Sequence, residues 1–400
     1  SSDINPDGSL QNPLQRWGGM MRKLETSDFK TANIEYVEFW MLDPFIYSKD
    51  SVDADEFGGD MYINLGEMSE DILRDGKKFY ESGMPVDGST VATLDKSQWG
   101  YIPHQSSVTY AFATTSGSRV LQDVGLNGLN DSQELSFDGY QQDLGNIQRI
   151  VNPDVWEKIS KDPANDNYHY FRGSDLDAQE ASILDRYKRI NMPQGNSPDS
   201  DNRTENYDTS YKTGPDVEDI NQDYTLNEYE KYYQYHVSVR PRDISTDNVG
   251  NNFIVDKRTT SVTLRNGKTE TVTWYQFRVP VEQYEEKVGR INDFSSIRFM
   301  RVFLTNFKKP IVIRLGTFDL VRSEWRNYEQ QLSSSANTGT IEASAVSIEE
   351  NNDKEPVNYI LPPGISRVVD PSQPQLTESN ESAMNFTVTN MSPGDAKAVY

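Results

Sequence analysis

An antiparallel β-sandwich of jelly-roll kind, mainly β with helical insertions and carrying one long irregular acidic insertion, is the fold class that three features of this chain predict. Alternating apolar runs gather at residues 30–65 and again at 228–326. Between them, from about residue 81 to 215, the composition turns to Asn, Asp, Gly, Ser and Pro with only scattered helical pattern. The two strand-rich stretches therefore flank a single excursion and are placed to pair with each other.

Each element follows from its local pattern. "IEYVEFWMLDP" sets Val37, Phe39 and Met41 on one face and Ile34, Tyr36, Glu38 and Trp40 on the other, with Pro44 close behind, so it reads as a strand covered on both faces. "GGDMYINLG" points Met61, Ile63 and Leu65 inward, and Ser69 then predicts the cap of a short helix over "EDILRDGKKFY". Inside the insertion, "DAQEASILDRYKRI" gathers Ile183, Leu184, Tyr187 and Ile190 on one helical face. Strand signals return at "KYYQYHVSVRP". In "SVTLRNGKTETVTWYQFRVPV", Asn266-Gly267 separates two alternating runs and predicts a hairpin, because such a turn needs positive φ. "SSIRFMRVFLTNF" and "PIVIRLGTFDLVRSEW" predict another antiparallel pair, joined from Phe307 to Pro310 and closing the first unit near Arg326. "QLSSSANTGT" has linker composition, "IEASAVSIEEN" reads as a strand, "YILPPGI" as an extended connector, and "AMNFTVTNM" as the opening strand of a further unit. The domain reading is a flexible segment at 1–16, a sandwich at 17–330 with its insertion at about 81–215, a linker with one strand at 331–357, and the start of a following β unit at 358–400.

Composition narrows the function. With 400 residues the chain exceeds one ordinary core, and 11% aromatic content with 22 Tyr separates it from disordered acidic sequences despite a mean hydropathy of -0.74. A formal charge of -23, uninterrupted by any basic cluster, repels phosphate backbones and anionic lipid, so nucleic acid is not an expected partner. There is no cysteine, hence no disulfide and no thiolate metal site. No run of 18 apolar residues exists, so no helix is expected to cross a membrane. The start "SSDINPDGSL" has no initiator Met, basic region or apolar core of a leader, and suggests an excised or processed piece.

Two acidic loops carry the chemistry. In "EDINQDYTLNEYE", Asp219, Asn221, Asp223, Thr225 through its carbonyl, Asn227 and Glu230 occupy positions 1, 3, 5, 7, 9 and 12 of an EF-hand-type calcium loop. Such spacing suits a hard cation wanting six to eight oxygens at roughly 2.3–2.6 Å. The loop departs from the pattern at position 6, where Tyr224 stands in place of Gly, and Pro215 argues against an entering helix. In "DVGLNGLNDSQE", Asp123, Asn127, Leu129 through its carbonyl, Asp131 and Glu134 fill positions 1, 5, 7, 9 and 12 with the turn glycine present at 128, while Gly125 leaves position 3 without a side-chain ligand. The plain alternative is an Asx-rich turn. If Ca2+ binds, its role is structural: it neutralises carboxylate repulsion and orders an excursion with little apolar core.

Catalytic patterns are scarce. His104, His169 and His236 lie far apart, and no HExxH, GxSxG, Walker or GxGxxG motif occurs. The six Trp could line a sugar groove, although Trp40 and Trp274 lie in alternating strands, where a core role is expected.

A longer signal covers most of the chain. "RWGGMMRKLETSDFKTANIEYVEFWMLDPF" and "GGDMYINLGEMSEDILRDGKKFYESGMP", followed in order by "QDVGLNGLND", "YKRINMPQGNSP", "EDINQDYTLNEYEKYYQY", "SIRFMRVFLTNF", "LGTFDLVRSEWR", "YILPPGI" and "GDAKAVY", resemble the SprA/Sov family of gliding-motility and secretion proteins of Bacteroidetes. The resemblance implies a very large outer-membrane parent, the β-barrel translocon of the type IX secretion system, which also supports gliding by delivering adhesins to the surface. It implies for this chain a non-enzymatic internal segment without a membrane span of its own. That segment would face the cell surface, with the periplasm as the other side, and would pack against other regions of the translocon and its outer-membrane subunits, with secreted cargo as a further candidate. The competing expectation is a calcium-stabilised jelly-roll carbohydrate-binding module, and a glycoside hydrolase ranks last.

Overall fold

The computed structural model of the chain describes residues 3–48, 57–87, 89, 93–104, 111–113, 115–166, 174–187, 215–264, 266–322, 331–333, 339–352, 358–367 and 381–399. In chain order the strands are β1 (Trp17–Lys23), β2 (Ile34–Leu42), β3 (Gly59–Glu67), β4 (Leu94–Lys96), β5 (Tyr101–Pro103), β6 (Lys231–Val239), β7 (Ile254–Thr263), β8 (Thr269–Pro280), β9 (Glu286–Val288), β10 (Phe299–Thr305), β11 (Leu315–Arg322), β12 (Thr340–Ser347) and β13 (Ser382–Thr389). The helices are α1 (Ser118–Gln122), α2 (Asp131–Ser136), α3 (Asp138–Ile150), α4 (Pro153–Lys161), α5 (Ser174–Ala178), α6 (Ile183–Tyr187) and α7 (Ile348–Asn351).

A five-stranded sheet runs β1-β10-β3-β6-β9 and a four-stranded sheet runs β11-β2-β8-β7, with every pairing antiparallel. Neighbours are mostly non-consecutive in sequence, so the chain weaves between the sheets as a jelly roll does. The expected inward sets meet in one core: Val37, Phe39 and Met41 from β2 and Tyr275, Phe277 and Val279 from β8 face Met61, Ile63 and Leu65 from β3 and Tyr235 and Val237 from β6. At its centre Phe39 stacks between Phe277 and Phe318, with ring centroids 4.8 and 5.0 Å away. The predicted hairpin is β7–β8, closed by Leu264 N–H on the Lys268 carbonyl at 2.8 Å.

The structure corrects four expectations. Residues 70–80 are not helical: 72–76 form bends and Tyr80 ends the segment in a bridge to Val217. Their N–H groups are taken by carboxylates instead of by carbonyls four residues back, and Arg74 and Gly76 are left-handed. The strands around "FMRVFLT" and "LGTFDLVR" do not pair with each other: β10 lies between β1 and β3, while β11 joins β2 in the opposite sheet. The connection crosses the sandwich, starting at Asn306, which is left-handed and anchored by its side chain on Asp60 at 2.8 Å. The helical face of Ile183 and Leu184 is exposed, and the run is split into α5 and α6 by left-handed Glu180 and by Ser182, whose hydroxyl accepts from Asp185 N–H. Finally, Trp40 and Trp274 are half-buried on the outer face of their sheet, where both crowd Gly316, and are not in the core. Ile190, His169, Trp325 and Arg326 lie outside the described residues.

β12 and β13 form a separate antiparallel ribbon, so the "AMNFTVTNM" strand pairs back onto "IEASAVS". Ile341, Ala343 and Ala345 stand opposite Val388, Phe386 and Met384 and give the ribbon one apolar face.

Candidate functional site

β3 and β6 are adjacent and antiparallel, with Glu67 opposite Lys231, so residues 68–230 leave and re-enter the sandwich side by side. At this neck the chain is ordered by carboxylates. Glu70 accepts from Ile220 N–H (2.8 Å), Asn221 N–H (3.1 Å) and Asn227 N–H (3.2 Å). Glu218 accepts from Ile72 N–H (3.1 Å), Leu73 N–H (3.4 Å) and Phe79 N–H (3.0 Å). Both glutamates are fully buried.

The two sides are copies of one loop. "EDILRD" at residues 70–75 matches "EDINQD" at 218–223. Asp71 accepts from Asp75 and Gly76 N–H as Asp219 does from Asp223 and Tyr224, and Asp75 accepts from Lys77 N–H as Asp223 does from Thr225. Arg74 and Gly76 are left-handed on one side, Gln222 and Tyr224 on the other. Tyr224 thus adopts the backbone that position 6 of a calcium loop requires, at φ 65. The recurring "EDI" was visible in the sequence as the signal for Glu70 and Glu218, and "DINPDG" at 3–8 repeats part of it.

Of the predicted ligands here, Asp219, Asn221 and Asp223 cluster, with Asn221 amide to Asp223 at 3.0 Å, and Asp219 also accepts from the Tyr80 hydroxyl at 2.6 Å. Thr225 donates its hydroxyl to Asp223 at 2.6 Å, and Asn227 donates its side chain to the Met68 carbonyl at 2.7 Å. Glu230 turns away: it binds Arg301 through both oxygens at 3.1 Å and accepts from Ser69 N–H. Among the described residues, which begin again at Pro215, no helix enters or leaves this loop.

The loop at 123–134 is different. α1 ends one residue before Asp123 and α2 begins at Asp131, so helix, loop and helix follow in order. α2 carries a full capping box between Asn130 and Gln133. Gly128 is left-handed, and a side chain there would strike the Tyr101 carbonyl. Asn127 accepts from Leu129 N–H at 2.8 Å and donates to Glu134 at 2.6 Å, which joins positions 5 and 12. The gap at position 3 is covered from elsewhere: the Asp166 carboxylate lies against Gly125, where a β-carbon would stand. Asp131 is half-buried and acts on Glu134 through its charge. Asp123 acts likewise on Glu81 and Asp216, and buried Glu81 accepts from Val124, Gly125 and Asp216 N–H.

Burial and neighbouring carboxylates set the electrostatics. Burial pushes Glu70, Glu218 and Asp216 up to about 7 and Asp166 up to about 8, and it raises Glu81 and Glu134 as well. The charges that add to these rises are all acidic. Among the described residues, no three Asp, Glu or His side chains converge closely enough to hold a metal as they stand. The donors around 123–134 are nonetheless oxygens, the chemistry of a hard cation.

Elsewhere the outer face of the five-stranded sheet carries an aromatic ladder. Phe303 stacks on Tyr62 at 4.9 Å and Tyr62 on His236 at 4.8 Å, while Trp17 meets Phe303 edge-on. His236 contacts the buried Asp60 at 2.7 Å, and Asp60 also receives Arg240 and Asn306. His104 is a half-exposed partner of Asp95. The side-chain partners of both histidines are carboxylates, Asp95 for His104 and Asp60 and Glu285 for His236, the groups that hold an imidazole in place.

No helix among the described residues is long and apolar enough to cross a membrane. A family model described as a motility related/secretion protein, SprA_N, matches residues 142–400. No curated protein matches the chain.

Proposed function

The chain belongs to the SprA_N family of motility-related secretion proteins, and from that premise we propose that it is a non-enzymatic part of a type IX secretion and gliding translocon of the outer membrane. In this reading the sandwich packs against other parts of the translocon and its outer-membrane subunits on the cell surface or the periplasmic side. The family match over residues 142–400 carries the reading. An epitope-tagged chain in its native host tests it. It is expected to fractionate with the cell envelope and to crosslink to outer-membrane secretion components, and a chain found free of both would sink the proposal.

We further propose that Ca2+ orders the excursion, foremost at 123–134. Asp123, Asn127, Asp131, Glu134 and the Leu129 carbonyl would hold it, with Asp166 supplying the oxygen that Gly125 lacks. The helices on either side support this assignment. Asp219, Asn221, Asp223, Thr225 and Asn227 would form a second, weaker site, since Glu230 would first have to leave Arg301. The ion would supply positive charge to buried carboxylates and perform no chemistry. Calorimetric titration of the chelator-treated chain is expected to show binding that Asp123→Asn weakens more than Asp219→Asn. Absence of heat at millimolar Ca2+ would reject both sites.

The carbohydrate-module alternative draws less support. A sugar platform needs free ring faces, and Tyr62, with Phe303 stacked on one side and His236 on the other, has none to offer, while exposed Trp17 meets Phe303 edge-on.

A further inference from the structure

The hydrogen bonds at the neck are crossed. Glu70 belongs to the outgoing chain yet holds three N–H groups of the returning loop, at residues 220, 221 and 227. Glu218 belongs to the returning chain and holds the equivalent N–H groups of the outgoing loop, at residues 72, 73 and 79. Counting each loop from its aspartate, both glutamates sit one residue before the loop and grip positions 2, 3 and 9 of the other. The backbone repeats the exchange: Glu70 N–H donates to the Asn227 carbonyl at 2.7 Å and Glu218 N–H to the Phe79 carbonyl at 3.2 Å. Beyond this point the chains stay joined through the Tyr80–Val217 bridge and through Glu81 and Asp216.

We propose that these two loops form a reciprocal clasp, a conformational latch that opens only as a unit and that holds the outgoing and returning ends of the excursion, at 70–79 and 218–227, to each other. Neither loop has regular secondary structure: its own aspartates hold the N–H groups of its turn, while those at positions 2, 3 and 9 go to a buried glutamate that the other loop must position. Withdrawing one glutamate removes its three bonds to the opposite loop and leaves the position 2 N–H, of Ile220 or Ile72, only its bond to the carbonyl two residues back. That loop then ceases to fix the second glutamate, and the remaining three bonds go with it. The sandwich does not depend on them, because the β3–β6 register ends at Glu67 and Lys231, and its core lies between the sheets. The latch therefore separates opening of the excursion from unfolding of the scaffold. It stands independently of calcium and of family membership, since it uses only bonds within the chain.

Native-state hydrogen exchange on the whole chain tests it. In the unaltered protein, amides 72, 73, 79, 220, 221 and 227 are expected to exchange through one common opening, ahead of the core strands β2 and β8. In both Glu70→Gln and Glu218→Gln, all six amides are expected to exchange at least about tenfold faster, since the glutamine NH2 cannot accept and leaves a buried N–H of the opposite loop without its partner. Protection in β2 and β8 should stay as it was. Separate openings for the two loops in the unaltered protein would overturn the proposal even if neither variant folds. So would faster exchange confined to the loop facing the substituted glutamate, or equal loss of protection in the core strands.

Discussion

Glu70, Glu218 and Asp216 each hold their proton up to about pH 7, and Asp166 up to about 8, because burial disfavours the charged form. In the unfolded chain the same groups lose it near 3.8 to 4.5. The folded state therefore binds more protons between these limits, and stability falls as pH rises through that window. In chelator, Tm is expected to decline from about pH 5 to 8, with millimolar Ca2+ flattening the slope. A Tm that rises over this range would contradict the reading. Asp60 behaves oppositely: burial pushes it up, but hydrogen bonds from Arg240, Asn306 and His236 together hold it well below the usual carboxylate range. Its contribution is present at neutral pH and is lost only in strong acid. Asp60→Asn strands the Arg240 guanidinium, and denaturant unfolding should report a loss of about 3 kcal/mol. These residues show how far sequence reaches at this scale. Spacing singles out Asp123 and Asp219 as candidates, whereas Asp166 reaches Gly125 only through folding, and no spacing rule could have found it.

At the level of elements, local chemistry decided some cases and neighbours decided others. β2, β6 and β8 were readable because each buries alternate residues against one core, and β3, though buried on both faces, still alternates Met61, Ile63 and Leu65 toward it. The segment at 70–80 was not, because its helical appearance is overruled by the Glu218 carboxylate, from a loop distant in sequence. The loop at 123–134 was legible in its turn, and a pair of glycine substitutions checks that. At Gly128 φ is 67 and a new methyl group would meet the Tyr101 carbonyl, while at Gly117 φ is 79 but nothing stands within 4 Å. Gly117→Ala is expected to cost about 1 kcal/mol from backbone strain alone. Gly128→Ala should cost at least about 1 kcal/mol more, since the close contact adds to the strain. Equal losses in thermal unfolding would mean that the turn is not packed as described.

Across the whole molecule, a formal charge of -23 and a set of buried carboxylates oppose compaction, and the aromatic core of the sandwich works against them. Simple screening and specific binding can be told apart. Ca2+ at about 1 mM is expected to raise Tm by several degrees, well beyond NaCl of equal ionic strength, because only a ligand of the folded state adds mass-action stability. Equal effects would assign the whole response to screening. The amino-acid sequence alone determined the class of fold, the presence of one acidic excursion, the loops rich in oxygen donors and the family resemblance, since alternation, composition and spacing are local properties that survive without a partner. Only the tertiary structure decided that β10 and β11 occupy opposite sheets, that Glu230 faces Arg301, and that Glu70 and Glu218 exchange loops across the neck. Those outcomes depend on which distant backbone groups a buried side chain finds, and burial is a property of the assembled chain.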